Sequence, residues 1–212
     1  MIPTINEEDI LFADAAIVVI NKAADLLSVP GLGEEKQDCV WRRVQQRFPT
    51  AKVVHRLDYA TSGVMVLALT AESHRHISIQ FQERQTDKVY QAVVAGQPVI
   101  ESGLIDQPLR CDWDNRPLQI IDHQQGKSAQ TYWQVIESLY DSTRLELKPV
   151  TGRSHQLRVH MQYLGHPILG DRFYAPPEQV ARSPRLLLHA QSLSFSHPVS
   201  EERLSFTAAT PF

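Results

Sequence analysis

His55-Arg56-Leu57-Asp58-Tyr59-Ala60-Thr61-Ser62-Gly63, followed at once by Val64-Met65-Val66-Leu67-Ala68-Leu69, is the stretch on which the reading of this chain turns. It sets an imidazole, a guanidinium and a carboxylate within four residues. Two hydroxyls and a glycine follow, and then an apolar run of strand length. Such an order predicts a reactive loop that feeds directly into a buried strand, a rigid mount for a side chain that must hold its geometry. A lone aspartate is most often a structural acid. Here Arg56 lies two residues before Asp58, and in extended backbone residues i and i+2 share a face. A neighbouring cation favours the ionised carboxylate, which can then act as nucleophile or base.

Around this run the composition is that of an ordinary globular protein, 42% hydrophobic and 21% charged over 212 residues. A single domain spanning 1–212 is expected. No apolar run approaches the ~18 residues of a membrane span. The acidic start, Met1 to Asp9, lacks the regions of a signal peptide, so the cytoplasm is the expected location and no membrane is expected as a partner. Cys39 and Cys111 form no CxxC pair and read as two free thiols. The net charge of −3 argues mildly against a nucleic-acid binder, but the charge is unevenly spread. Residues 1–38 carry net −6, whereas 42–58 and 144–190 each carry net +4. Two basic segments could form one face, and a scatter of solvated arginines would read the same way.

The periodicities give the framework. Ile10 to Ile20 reads as one or two strands. Asp38 to Phe48 reads as a helix capped by Asp38, with Val40, Trp41, Val44 and Phe48 on its apolar side. Thr70 is the expected cap of a helix over 71–84, with Ile77 and Phe81 at i, i+4. Strands are expected at 88–96, 118–121, 130–136, 143–147, 185–188 and 204–206, and a helix at 152–164. Without strict β-α-β alternation the fold class is α+β, with a mostly antiparallel sheet.

Two more places attract attention. In Thr151-Gly152-Arg153-Ser154-His155-Gln156-Leu157-Arg158, a Thr-Gly pair at the expected helix start would leave backbone N–H groups free beside Arg153. That arrangement suits a phosphate or a carboxylate, and His155 and Arg158, three apart, could reach a second phosphate. On the strand from Lys88, residues Lys88, Tyr90 and Ala92 share a face. A tyrosine there is most often core; as a functional group it would stack on a planar base or accept a proton. The histidines of the C-terminal half show no HxxxH or HExxH spacing, so no metal is expected. Gly31-Leu32-Gly33 lacks the rest of a nucleotide fingerprint.

These motifs together resemble the RluA family of pseudouridine synthases. His55-Arg56-Leu57-Asp58-x-x-Thr61-Ser62-Gly63 looks like the family signature, Asn21-Lys22 with Leu26 and Val29 like its N-terminal motif, and Lys88-x-Tyr90 like its tyrosine motif. Thr151 to His160, Gly165 to Asp171 and Leu186 to Ala190 look like its C-terminal motifs. The resemblance covers nearly the whole chain. Cys111-Asp112-Trp113-x-Asn115-Arg116-Pro117 and Asp171 to Ala175 narrow it to the short branch that modifies both 23S rRNA and tRNA. One departure stands out: where the family usually has Asn-Lys-Pro-x-Gly, this chain has Asn21-Lys22-Ala23-Ala24-Asp25. Aspartate can enter the left-handed region at some cost, so the turn can survive the loss of its glycine.

The resemblance implies an α+β catalytic domain with a central mixed, mainly antiparallel sheet, flanking helices and a cleft, acting on RNA stem-loops without cofactor or metal; the oligomeric state is not readable from the sequence, and a monomer is the default. It implies that Asp58 is the catalytic aspartate, Arg153 its ion-pair partner, and Tyr90 the residue stacking on the target uracil. Leu188 becomes an apolar neighbour of the site. Arg56 becomes the side chain that fills the stack when the target base flips out. His155 and Arg158 stay candidate substrate contacts from their spacing, and His55 is counted with them as a candidate, although a structural hydrogen-bonding role is its default. Pseudouridylation breaks N1–C1′, turns the uracil and joins C5 to C1′, with nothing added or lost. The base must leave its stack to be reached. Whether Asp58 attacks C1′ or removes the C2′ proton stays open. Two other classes compete: an RNA-binding module without activity, which would lack Asp58 or Arg153, and a hydrolase, which would release free uracil.

Overall fold

The computed structural model describes residues 2–212; Met1, which opens the acidic N-terminal stretch and the expected domain, lies outside them. In chain order the elements are β1 (Ile10–Ala13), β2 (Ile17–Lys22), α1 (Val40–Gln45), β3 (Lys52–Val53), β4 (Ser62–Ala68), α2 (Ala71–Gln82), β5 (Asp87–Ala95) and β6 (Ser102–Asp106). There follow β7 (Leu109–Cys111), β8 (Gln119–Ile121), β9 (Gln130–Ser138), β10 (Ser142–Pro149), α3 (Gln156–Tyr163), α4 (Pro177–Val180), β11 (Leu188–Ser196) and β12 (Arg203–Thr207). The α+β expectation holds. Among the described residues, no helix is long and apolar enough to cross a membrane. The chain divides into two compact units, residues 2–88 with Ala190–Pro211, and Val89–His189 with Phe212.

In the first unit the strand order is β1-β2-β4-β11, with β3 also on β4 and β12 on β11. The stretch Ile10 to Ile20 is two antiparallel strands because Asp14 turns the chain between them: its Oδ1 accepts the N–H groups of Ala16 (2.7 Å) and Ile17 (2.8 Å). β4 pairs antiparallel with β2 from Ile17↔Ala68 to Lys22↔Gly63. All seven residues of β4 are buried, which is why its sequence is continuously apolar instead of alternating. Ile17, Val19, Val64 and Val66 pack with Ile77 of α2 and with Leu193 and Phe195 of β11, and Phe81 lies against the same cluster. The cap of α2 is the expected one, Thr70 Oγ1 accepting Ser73 N–H at 3.0 Å.

α1 is shorter than its pattern, and Asp38 does not cap it. Cys39 occupies the cap position without a side-chain bond. The Asp38 carboxylate instead forms a two-pronged pair with Arg43 (2.7 and 2.6 Å). An arginine fork outcompetes a single backbone N–H for a carboxylate. Cys39 and Cys111 are both free thiols.

In the second unit the order is β5-β10-β9-β6, antiparallel throughout, with a separate β7–β8 ribbon. Its two apolar clusters gather Leu109, Ala129, Val159 and Tyr174, and Val93, Ala95 and Leu169. Residues 185–187 carry no strand; β11 begins at Leu188.

Helix α3 starts at Gln156, four residues later than the sequence suggested. His155 precedes it in the left-handed region at φ 53°. The Gln156 amide explains the delay. Its Oε1 accepts Thr151 Oγ1–H (2.7 Å) and Arg153 N–H (3.0 Å), and its Nε2 donates to Gln130 O (2.9 Å) and Thr131 Oγ1 (3.0 Å). Every hydrogen-bonding site of the amide is thereby used, and 151–155 are fixed as a turn.

Candidate active site

The loop that carries Arg56 and Asp58 is held from beneath. Leu57, between them, is buried, while Arg56 is exposed and Asp58 half-buried. Burial thus alternates along the loop, exposed at Arg56, buried at Leu57 and partial at Asp58. Ser28, itself buried, grips the Leu57 peptide at both ends: its Oγ donates to Leu57 O (2.6 Å) and accepts Leu57 N–H (3.1 Å). Lys22 is 1% exposed, and its Nζ donates to Ala23 O (2.8 Å), Leu26 O (2.7 Å) and Tyr59 O (3.1 Å). One buried ammonium therefore ties the 23–26 turn to the reactive loop. In this turn, which lacks the glycine, Asp25 itself takes the left-handed φ of 54°. Asp58 O accepts Thr61 N–H at 3.1 Å, closing the turn into β4.

His55 is not placed to meet a substrate. After β3 pairs Lys52↔Ala68 and Val53↔Leu67, the His55 ring continues that edge. Its Nε2 accepts Val66 N–H at 3.1 Å, and the ring stacks on Phe81 at 4.5 Å. Burial, with the charge of Lys88, pushes its pKa down to about 3, so the ring is the neutral acceptor that this bond needs. Its work here is to continue a strand ladder, the structural hydrogen-bonding role expected of it by default. Lys88 is itself lowered to about 8 by burial and by the charge of Arg84.

In the second unit, Tyr90 lies half-buried on β5, opposite Leu147 of β10. Leu188 is buried at the start of β11. Arg153 is exposed on the turn before α3, not at a helix N-terminus, and its Nε donates to Ser128 O at 3.1 Å. The helix-start anion site expected at Thr151-Gly152 therefore does not form; the Gln156 amide takes the N–H of Arg153. His155 is half-buried, bonded through Nδ1 to the Tyr174 hydroxyl (2.6 Å) and stacked on Phe173 (5.7 Å).

Arg158 is a second correction. It is 4% exposed and bonded through two nitrogens to Asp171 (2.8 and 2.6 Å), which is fully buried. Its guanidinium also lies 5.1 Å from the rings of Phe173 and Tyr174. Asp171 Oδ1 in turn accepts the N–H groups of Phe173 (3.0 Å) and Tyr174 (3.3 Å). The pair shapes this turn and does not extend to a phosphate. Leaving such a carboxylate without its cation would cost several kcal/mol, ~3–5 in typical cases.

The basic segments are partly neutralised within the protein. Arg43 pairs with Asp38, Arg47 with Glu7, Arg144 with Glu137 and Arg182 with Asp141. The acidic N-terminal segment thus answers part of the charge of 42–58. Sequence reasoning gave no role to Ser28 or Gln156: Ser28 acts on Leu57, distant in the chain, and Gln156 is anchored on Gln130 and Thr131 of β9. His160 belongs to the same hidden class: buried between Thr131 Oγ1 (2.9 Å) and Gln107 O (3.1 Å), with its pKa lowered by burial, it braces α3.

The chain is similar to known proteins over nearly its whole length. The family described as RNA pseudouridylate synthase matches residues 16–163. The dual-specificity RNA pseudouridine synthase RluA of Escherichia coli K12 is 54% identical over 204 residues, covering 96% of this chain and 93% of that protein. Its namesake in Pasteurella multocida is 47% identical over 99% of this chain and 96% of its own length. Among solved structures, human RNA pseudouridylate synthase domain containing 1 superposes with a TM-score of 0.81 at 30% identity, covering 96% of this chain and 84% of that one. Human RNA pseudouridylate synthase domain containing 4 gives 0.76 at 28%, covering 95% and 88%.

Proposed function

We propose, from the premise that this chain belongs to the RNA pseudouridylate synthase family, that it isomerises uridines to pseudouridine in stem-loops of 23S rRNA and tRNA. The chain is an RNA pseudouridine synthase, an isomerase. The observation that carries the residue-level reading is the clamped loop. Leu57 is locked into the core by Ser28, with exposed Arg56 before it and half-buried Asp58 after it in the chain.

In this reading residues 1–212 work as one catalytic domain, as a monomer in the cytoplasm. The target uridine leaves its stack, at a cost of a few kcal/mol, and Arg56 fills the gap with a planar, charged group. Asp58 opens the glycosidic bond. Tyr90 gives the detached uracil an aromatic surface on which to turn, so that C5 meets C1′. Arg153 supplies positive charge that favours the ionised carboxylate. Because the product is an isomer of the substrate, the atoms balance without a cofactor.

The test is Asp58→Asn, which keeps the shape and removes the charge. The variant should fold, bind RNA and form no pseudouridine by carbodiimide-primer extension. Pseudouridine made by this variant as sole enzyme would overturn the role of Asp58. Release of free uracil by the unaltered protein would favour hydrolysis instead.

A further inference from the structure

Trp113 is 65% exposed on the loop between β7 and β8, although a tryptophan offers more apolar area for burial than any other residue. The loop around it is not slack. Asp112 N–H bonds to Leu118 O (2.9 Å), Asn115 N–H to Asp112 O (3.2 Å) and Leu118 N–H to Asn115 O (3.0 Å). Asn115 Nδ2 also bonds to Asp112 Oδ2 at 3.0 Å. On this frame the Arg116 guanidinium stacks over the Trp113 ring, 5.0 Å from its centre.

The frame is fastened to the turn that carries Arg153. Tyr174 Oη accepts Gln119 N–H of β8 at 2.9 Å and is hydrogen-bonded to His155 Nδ1 at 2.6 Å. Phe173, 47% exposed, lies against the His155 ring. One hydrogen-bonded scaffold thus connects the Trp113–Arg116 pair to the Arg153 turn.

We propose that Trp113, with Arg116 stacked on it, is a second RNA contact that receives an unpaired base of the substrate loop other than the target uridine; this rests on the RNA reading above. A flat indole backed by a guanidinium is a platform on which any base can stack. The neighbouring charges choose base over backbone: Asp112 and Asp114 flank Trp113 in the chain and would repel a phosphate. The platform therefore meets nucleobases, and its contribution to binding carries little salt dependence.

The experiment measures binding in the Asp58→Asn protein, with no turnover. The probes are an unmodified RNA hairpin with an unpaired loop and a blunt duplex with the same stem. Adding Trp113→Ala should weaken hairpin binding about tenfold, the scale of one lost base stack, and leave duplex binding unchanged. Trp113→Phe should recover most of the loss, and the slope of affinity against salt should not move. Hairpin affinity within about twofold of the parent would overturn the proposal. A loss accompanied by a salt slope lower by about one would overturn it too, because the contact would then be to phosphate. If the Asp58→Asn parent itself binds neither probe, the RNA reading fails instead, and the two failures are distinct. Unchanged thermal melting of Trp113→Ala, expected for so exposed a residue, excludes misfolding as the cause.

Discussion

Replacing Gly63 by alanine should damage this protein far more than one methyl group suggests. Gly63 stands in β4 at φ 120°, a backbone region that L residues rarely adopt. A Cβ built there would lie 2.2 Å from Ala190 O, 2.6 Å from Ala190 N and 2.7 Å from Ala190 C. All three atoms are β11 backbone, so no side chain can swing away. Backbone strain contributes ~1–3 kcal/mol. Overpacking against a fixed strand contributes a further ~1–3 kcal/mol. The sum, about 4 kcal/mol, should lower the melting temperature by roughly 8–16 °C in a chain of this size. The consequence for activity follows from position. Gly63 pairs with Lys22, whose ammonium holds the Tyr59 carbonyl, and it lies five residues beyond Asp58. Pushing β4 from β11 therefore shifts the reactive loop, and a displacement of ~1 Å can cost about a hundredfold in rate. Thermal unfolding by circular dichroism gives the first quantity. Initial rates of pseudouridine formation, at a temperature where the variant is folded, give the second. A melting temperature within about 3 °C of the parent would refute the close-approach argument.

Three other outcomes follow from the same region. Ser28→Ala leaves both polar groups of the buried Leu57 peptide without their partner, and urea unfolding should show a loss of roughly 2 kcal/mol; a loss under about 0.5 would mean the clamp is dispensable. Asp25→Gly relieves a left-handed aspartate and should raise stability by about 0.5 kcal/mol in the same assay, whereas a fall would show that the Asp25 side chain is needed. His55 has a folded pKa of about 3 against an ordinary 6.5, so the unfolded chain takes up the proton first. Its stabilising effect is complete above pH ~6.5 and declines as pH falls toward 3, by at most ~2 kcal/mol between pH 6.5 and 5. Denaturation at a series of pH values should show a flatter acid limb for His55→Gln, and an equally steep one would refute the ladder role.

The reactive loop and its strand were legible because both signals are local. A continuous apolar run demands burial on both faces, and β4 is buried at every position. The spacing of Arg56 and Asp58 about a buried Leu57 follows from the two-residue period of extended chain. The Thr70 cap and the Ile77/Phe81 stripe were readable for the same reason. The failures share the opposite property. Asp38 has the chemistry of a cap, yet an arginine five residues on takes it. Thr151-Gly152 has the look of a helix start, yet the Gln156 amide, anchored on β9, holds that segment as a turn. Arg158 has the look of a phosphate ligand, yet Asp171 reaches it across thirteen residues.

Local pattern by itself determined that this chain is α+β and which family it belongs to. These depend on residue type and spacing, and both are written in order along the chain. The tertiary structure decided which partners several residues of those motifs meet. Gly63 reads in sequence as the end of a turn, but it must be glycine because the Ala190 backbone leaves no room for a Cβ. His55 reads as part of the reactive trio, but Val66 N–H has claimed its lone pair. Which donor meets which acceptor across a sheet is set by packing between distant segments, and the linear order of residues does not contain that distance.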